Sequence, residues 1–300
     1  MIYQFCNSPN KSDRQGNQIL GLIAHFTAGG NFDDTVRYLC NLAKAPDDAT
    51  SGIVVVNGQK YYDAKAAAHY ITSRPEGPDR KVRTVQLVRE SESAWHAGSK
   101  TTIPSLNGKK NVNLWSIGHE ICNWGGLRKV EERFYCWPGN WSYEYRGPAP
   151  VKIPKSYEFV KTDKSYADKD GKPIFPDGVI EWWEPYQEET VLAVIELWKD
   201  VVTRNSIKAE WVSGHEIIDP TRKTDPGPAF PWERILSEVY SAIATTTPTV
   251  NLDGGDVMQL DEVPLSDRSG RSDIQDVLDC IFKRLSILPL GEPAVSGLPR

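Results

Sequence analysis

The chain has 300 residues, 39% of them hydrophobic and 25% charged, which is the composition of a globular fold with room for one large or two modest domains. Its formal net charge of −5 gives no basic footprint for nucleic acid, so nucleic-acid partners are excluded from the expectation. Residues 1–20 lack a basic start followed by an apolar core, and no apolar run approaches the ~18 residues of a membrane span, so neither a secretory signal nor stable membrane insertion is expected.

In chain order, the apolar run from Ile19 to Ala24 reads as a buried strand that ends on His25 and is followed by Thr27-Ala28-Gly29-Gly30. A polar side chain at the end of a central strand, just before a glycine turn, is where sheets place functional groups. A core histidine satisfied by hydrogen bonds is the competing reading. Asn31 then caps a helix carrying Val36, Leu39 and Cys40. Residues 52–57 and 83–89 read as strands joined through Ala66–Ile71, and Leu114–Ile121 reads as a further strand bearing His119 and Glu120. Residues 124–185 hold Trp124, Trp137, Trp141, Trp182 and Trp183 among many tyrosines, glycines and prolines. This insertion reads either as a wall of a sugar-binding cleft or as a large loop that uses its aromatics to build a small core of its own. Gln187–Val202 is the clearest helix, with Val191, Leu192, Val194, Ile195, Trp198, Val201 and Val202 forming a broad apolar face.

Strands alternating with helices indicate an α/β fold, a central mixed β-sheet flanked by helices, over residues 1–244. Residues 245–300 are expected to be a linker over Thr245–Asp267 and then a helical extension. Ser272 caps that helix, and Ile274, Val277, Leu278, Ile281, Phe282 and Leu285 form an apolar stripe. The stripe over 272–285 is expected to pack on the main domain, or else on a partner or a second copy. The five cysteines, Cys6, Cys40, Cys122, Cys136 and Cys280, are odd in number and form no CxxC pair, which reads as reduced thiols.

The run from Gly214 to Trp232, GHEIIDPTRKTDPGPAFPW, is the most informative stretch. Asp219-Pro220 and Asp225-Pro226-Gly227-Pro228 stop any helix and stiffen the backbone, while His215 and Asp225 offer an imidazole nitrogen and a carboxylate oxygen, both ordinary zinc ligands. The same residues also fit a turn-capping histidine and solvated loop charges. His215 to Asp219 imitates the start of an HExxH zinc helix, but Pro220 argues against the continuous helix that motif needs.

Taken together, GLIAHFTAGG, AAAHYI, SAWHAG, WSIGHEI and GHEIIDPTRKTDPGPAFPW occur in an order that resembles the type-2 N-acetylmuramoyl-L-alanine amidases. These zinc amidases share a fold with the peptidoglycan-recognition proteins. The resemblance spans roughly Ser8 to Trp232. It implies one zinc ion held by His25, His215 and Asp225, a catalytic carboxylate at Glu120, and an assisting lysine at Lys223. Trp95 and His96 match a segment bordering the substrate cleft, and His69 is a second candidate substrate contact. Asp225, able to hold zinc, favours an enzyme over a binding-only relative. His119 departs from the apolar residue usual in SIGIE. Strand alternation puts it opposite Glu120, so altered packing or an extra polar contact is expected there.

The implied activity is hydrolysis of the amide between N-acetylmuramic acid and L-alanine, with peptidoglycan or muropeptides as the partner. A protein made in the cytoplasm without an export tag, yet acting on the wall, suggests a delivered lytic enzyme such as a phage endolysin or secreted antibacterial effector. A cytoplasmic muropeptide-recycling amidase, a non-catalytic recognition module and a zinc peptidase of the stem are the alternatives.

Overall fold

The computed structural model describes residues 4–98, 110–137, 141–153, 175, 179–220 and 222–246. The first half contains β1 (Gln4–Phe5), β2 (Lys11–Asp13), β3 (Gly21–Phe26), α1 (Phe32–Leu39), β4 (Ile53–Val56), β5 (Gln59–Tyr62), β6 (Tyr70–Thr72), β7 (Thr84–Gln86), β8 (Glu92–Ala94) and β9 (Ser116–Ile121). There follow β10 (Gly126–Val130), β11 (Arg133–Cys136), β12 (Tyr143–Glu144), β13 (Val151–Lys152) and β14 (Trp182–Trp183). The chain then forms α2 (Glu188–Asn205), β15 (Val212–Gly214), α3 (His215–Ile218) and α4 (Trp232–Thr246).

Six strands make the central sheet in the order β1-β7-β6-β9-β3-β15. Only β6 and β7 are antiparallel, so the sheet is mixed, as the alternation of elements predicts. The apolar run that ends on His25 is the interior strand β3, held between β9 and β15. Because side chains alternate along a strand, Leu22 and Ala24 share one face with Ile117 and Ile121. Helices α2 and α4 cover that face, with Val194, Trp198, Val201, Ile235 and Val239 completing the main core. Leu192 does not join it. At 45% exposure it sits off the stripe of Val191, Val194, Ile195 and Trp198 that faces the sheet. The opposite face of the sheet carries Ile23, His25, Gly118 and Glu120.

His119 points towards the helices, opposite Glu120. Trp198 Nε1 donates to its Nδ1 over 2.9 Å, which leaves the proton on Nε2 to be donated to Thr72 Oγ1 at 2.8 Å. The polar departure in SIGHE is therefore an internal hydrogen-bonded bridge between sheet and α2. Asn31 caps α1 as expected, accepting from Asp34 N over 3.1 Å. The strand expected over 52–57 forms a separate hairpin with β5 outside the central sheet, with Val55 and Val56 exposed.

The aromatic insertion folds into a second, antiparallel sheet of order β12-β11-β10-β14-β13. Trp141, Ile180 and Trp183 pack together, as do Leu127, Cys136 and Tyr145, so the aromatics build a core of their own. Sugar stacking is thereby ruled out for Trp141, which is 3% exposed, while Trp137 stays open at 47%. Glu184, buried, accepts from Arg74 Nη2 and from Trp124 N, both at 2.5 Å, and ties this sheet to the end of β6. The linker and helix expected over 245–300 lie outside the described residues, apart from Thr245 and Thr246, which end α4.

Burial pushes the His119 pKa down to about 3, so the folded protein keeps this ring neutral where an unfolded chain would protonate it. The unfolded state then binds more protons between pH 6.5 and 3, and stability is lost as pH falls through that window, by about 2 kcal/mol between pH 6.5 and 5. His119→Ile should lower stability at pH 7 by about 1–3 kcal/mol by stranding the Trp198 N–H. It should also flatten the acid slope by that single ring's share. Urea unfolding at pH 7 and pH 5 measures both, and an unchanged slope contradicts the bridge.

Candidate active site

The parallel register of β3 and β9 sets His25 directly beside Glu120. One residue past the last β3–β15 pair, Ala24 with Gly214, β15 has ended and His215 opens α3. This helix is a single turn: it stops at Ile218, and the Asp219 carboxylate turns to Arg222 Nη2 at 2.6 Å instead of standing beside His215. An HExxH arrangement is absent. The chain instead loops back, and Glu216 N donates to Asp225 O over 3.0 Å, bringing the Asp225 carboxylate to the start of α3. The loop is seated from behind. Tyr186 OH donates to Pro226 O over 2.9 Å, and a Cβ at Gly227, where φ is +80°, would come within 2.6 Å of the Trp183 ring. The insertion thus forms part of the mould that holds Asp225.

His25, His215 and Asp225 are all buried, and one ligand atom from each lies within 4.8 Å of the others. Asp225 Oδ2 is 2.8 Å from His25 Nδ1 and 3.0 Å from His215 Nδ1. The neighbouring hydrogen bonds decide the His25 tautomer. Ser116 Oγ donates its proton to Val112 O over 2.5 Å, so it must accept from His96 Nε2 at 3.1 Å. Burial, and then the nearby His25 and His69, hold the His96 pKa well below the usual range, so His96 is neutral and its Nδ1 is an acceptor. His25 Nε2 therefore donates to it over 3.0 Å.

This leaves a lone pair on His25 Nδ1 facing the Asp225 carboxylate. Burial and the neighbouring His215 push the His25 pKa down to about 4, which opposes protonating that nitrogen. Two acceptors that close are reconciled by a cation, and the two-imidazole, one-carboxylate set is a zinc donor set. Burial alone would raise the Asp225 pKa, but His215 and His25 outweigh it and hold the carboxyl well below its usual range. The group is thus ionised, as a ligand must be. The residues fit the ion.

Glu120 is half-buried, and its Oε2 is closed off from water with no hydrogen-bond partner. Burial, then the charge of Asp225, raises its pKa to about 8, while Lys223 pulls in the opposite direction. Beside the histidines opens a cavity of about 480 Å³ lined by Ser12, Lys65, Trp95, His96, Asn113, His215, Arg222 and Lys223, among others.

Residues 15–228 match the family model described as N-acetylmuramoyl-L-alanine amidase. The chain belongs to this family. It is 31% identical over 183 residues to N-acetylmuramoyl-L-alanine amidase AmiD of Escherichia coli (strain K12), covering 60% of this chain and 47% of that protein. It is also 35% identical over 63 residues to 1,6-anhydro-N-acetylmuramyl-L-alanine amidase AmpD of Enterobacter cloacae, covering 21% of this chain and 31% of that one. The chain therefore spans about half or less of the length of these curated relatives. Among solved structures, a complex of the Escherichia coli AmiD is similar with a TM-score of 0.42 and 25% identity, over 76% of this chain and 58% of that chain. An AmpD derivative is similar with a TM-score of 0.47 and 18% identity, over 79% and 93%.

Set in this amidase chain, the residues singled out by the resemblance fall into three groups. His25, His215, Asp225 and Glu120 converge, and Lys223 stands at the cavity close enough to influence the charge of Glu120 and His25. Trp95, 39% exposed, and His96 both line the cavity, although His96 also uses both ring nitrogens inside the protein. His69 does not reach the cavity. It is fully buried: Nδ1 accepts from Gly118 N at 3.0 Å, and Nε2 lies 2.8 Å from Arg14 Nη2 and 3.0 Å from Glu92 O, so a substrate contact there is corrected to a packing role. Sequence reasoning missed Ser116, Asn113 and Gly118. Asn113 Oδ1 accepts from the backbone N of His96 and Ala97, and a Cβ at Gly118 would lie 2.4 Å from His96 Cγ. The serine and glycine are plainly visible in WSIGHE, but nothing in the string says that they cradle a histidine twenty residues upstream.

Ser116→Ala removes the acceptor that orients His96 and, through it, His25. Zinc affinity by chelator competition should fall roughly 10–100-fold while the fold survives. Unchanged affinity would show that the relay does not position the ligand.

Proposed function

We propose that this chain is a zinc-dependent N-acetylmuramoyl-L-alanine amidase, hydrolysing the amide between N-acetylmuramic acid and L-alanine of peptidoglycan. The observation that carries this reading is Glu120: a carboxyl with an unpartnered, buried oxygen, strand-paired with His25 and raised in pKa by burial and by Asp225. A carboxyl poised near neutrality can both take and return a proton. Glu120 takes the proton of the attacking water and delivers it to the alanine nitrogen as that nitrogen departs. Lys223, half-buried at the cavity, stabilises the oxyanion, a role worth a few kcal/mol. His25, His215 and Asp225 would hold the zinc, which supplies Lewis acidity, lowering the pKa of water to about 7 and polarising the scissile carbonyl. Trp95 offers an exposed ring at the cavity for the sugar or the stem.

The combination of Asp225 with Glu120 supports catalysis over mere recognition, since a pure binder needs neither. The single turn of α3 removes the structural basis for an HExxH peptidase.

Within this activity we take the chain as a delivered lytic enzyme acting on the wall polymer. The second reading, an amidase of soluble muropeptides, is favoured by its relatives, one of which is named for a 1,6-anhydromuramyl substrate.

Glu120→Gln should cut turnover by about 10²–10⁴-fold with zinc retained. Mass spectrometry of digested sacculi should show new L-alanine amino termini from the wild type only, and cuts within the stem would refute the assignment. Parallel rates on sacculi and on soluble anhydromuropeptides decide between the two readings: a lytic enzyme releases peptide from intact sacculi, a recycling enzyme only from the soluble fragment.

A further inference from the structure

Among the described residues, Cys122 and Cys136 are isolated buried thiols, but Cys6 and Cys40 meet. Their Sγ atoms lie 3.0 Å apart, about 1 Å beyond the length of a disulfide bond. The approach is built, not incidental. Cys6 follows edge strand β1, where its N donates to Gln86 O over 2.9 Å, and Cys40 is the C-terminal cap of α1. Ser8 Oγ donates to Leu39 O at 2.6 Å, and Asn10 Nδ2 lies 3.1 Å from the same carbonyl and 3.0 Å from Asn41 Oδ1. Three side chains of the 6–10 segment therefore grip residues 39–41, and the two sulfurs need no search to find each other.

We propose that Cys6 and Cys40 are a disulfide-forming pair, closed by a protein or glutathione disulfide when the chain enters an oxidising compartment. Cys6 is half-buried, whereas Cys40 is almost wholly buried, with its thiol pKa raised by burial and by Cys6. Cys6 is accordingly the attacking sulfur. Its thiolate displaces one thiolate from the oxidant, giving a mixed disulfide. Cys40 then loses its proton to solvent, attacks Cys6 Sγ and expels the second thiolate. Two protein thiols are oxidised by two electrons, and one oxidant disulfide becomes two thiols. The closed loop contains β3 and His25, so the bond staples the edge of the sheet to α1 around a zinc-ligating strand. The reading of all five cysteines as lasting thiols holds only under reducing conditions.

The test incubates the full chain in oxidised glutathione, alkylates it under denaturing conditions and maps peptides by mass spectrometry. The expected result is joint loss of alkylation at Cys6 and Cys40, a cross-linked peptide pair and a mass lower by about 2 Da. The Tm should rise by roughly 5–10 °C, reversibly with dithiothreitol. Cys6→Ser should abolish the rise, and Cys122→Ser should leave it intact. Persistent alkylation of Cys6 and Cys40, or a bridge from either to Cys122, Cys136 or Cys280, overturns the proposal.

Discussion

One carboxylate oxygen organises this molecule. Asp225 Oδ2 stands within hydrogen-bonding distance of His25 Nδ1, carried by β3, and of His215 Nδ1, carried by the first residue of α3 just past the neighbouring parallel strand β15. Each of the three groups is buried, and each is electrically costly to bury alone. Together they form a donor set that a cation would complete, because the ionised Asp225 carboxylate and the lone pair of His25 Nδ1 face each other. The rest of the structure serves to hold that oxygen in place.

The holding is done from three directions. From below, Ser116 and His96 determine which nitrogen of His25 carries its proton, and Gly118 leaves room for the His96 ring by having no Cβ. From the side, the backbone bond from Glu216 to Asp225 closes the loop after α3. From behind, Trp183 and Tyr186 seat the loop against the second sheet. That sheet is locked to the first by the pair of half-buried Arg74 and buried Glu184. The aromatic insertion therefore contributes to the site as support for a ligand loop, with its own core as the means.

The two faces of the central sheet divide the labour. One is sealed by α2 and α4, with the His119 bridge joining sheet to helix inside that seal. The other carries His25 and Glu120 on adjacent strands, in register. A parallel register makes this economical: a single alternation of side chains sends apolar residues to the helices and the candidate site residues to the open face.

Much of this was legible in the chain. Apolar periodicity revealed β3, β9 and α2, and the prolines after Asp219 and Asp225 excluded the long zinc helix, because period and backbone restriction are local properties. The candidate ligands His25, His215 and Asp225 were nameable through motif resemblance, and so was the candidate catalytic carboxyl Glu120. What the string could not state was which side chains serve those ligands. His69 and His96 look alike in sequence, each beside small residues, yet one is wholly buried between Arg14 and Gly118 while the other lines the cavity. Trp137 and Trp141 look alike too, and only one is open to solvent. The fate of Leu192, the isolation of the hairpin at β4 and the meeting of Cys6 with Cys40 depend likewise on contacts between residues far apart in the chain. Local sequence determined the elements and the chemistry available. Tertiary packing alone decided which of those groups meet, because burial and proximity are properties of the folded surface and not of any one segment.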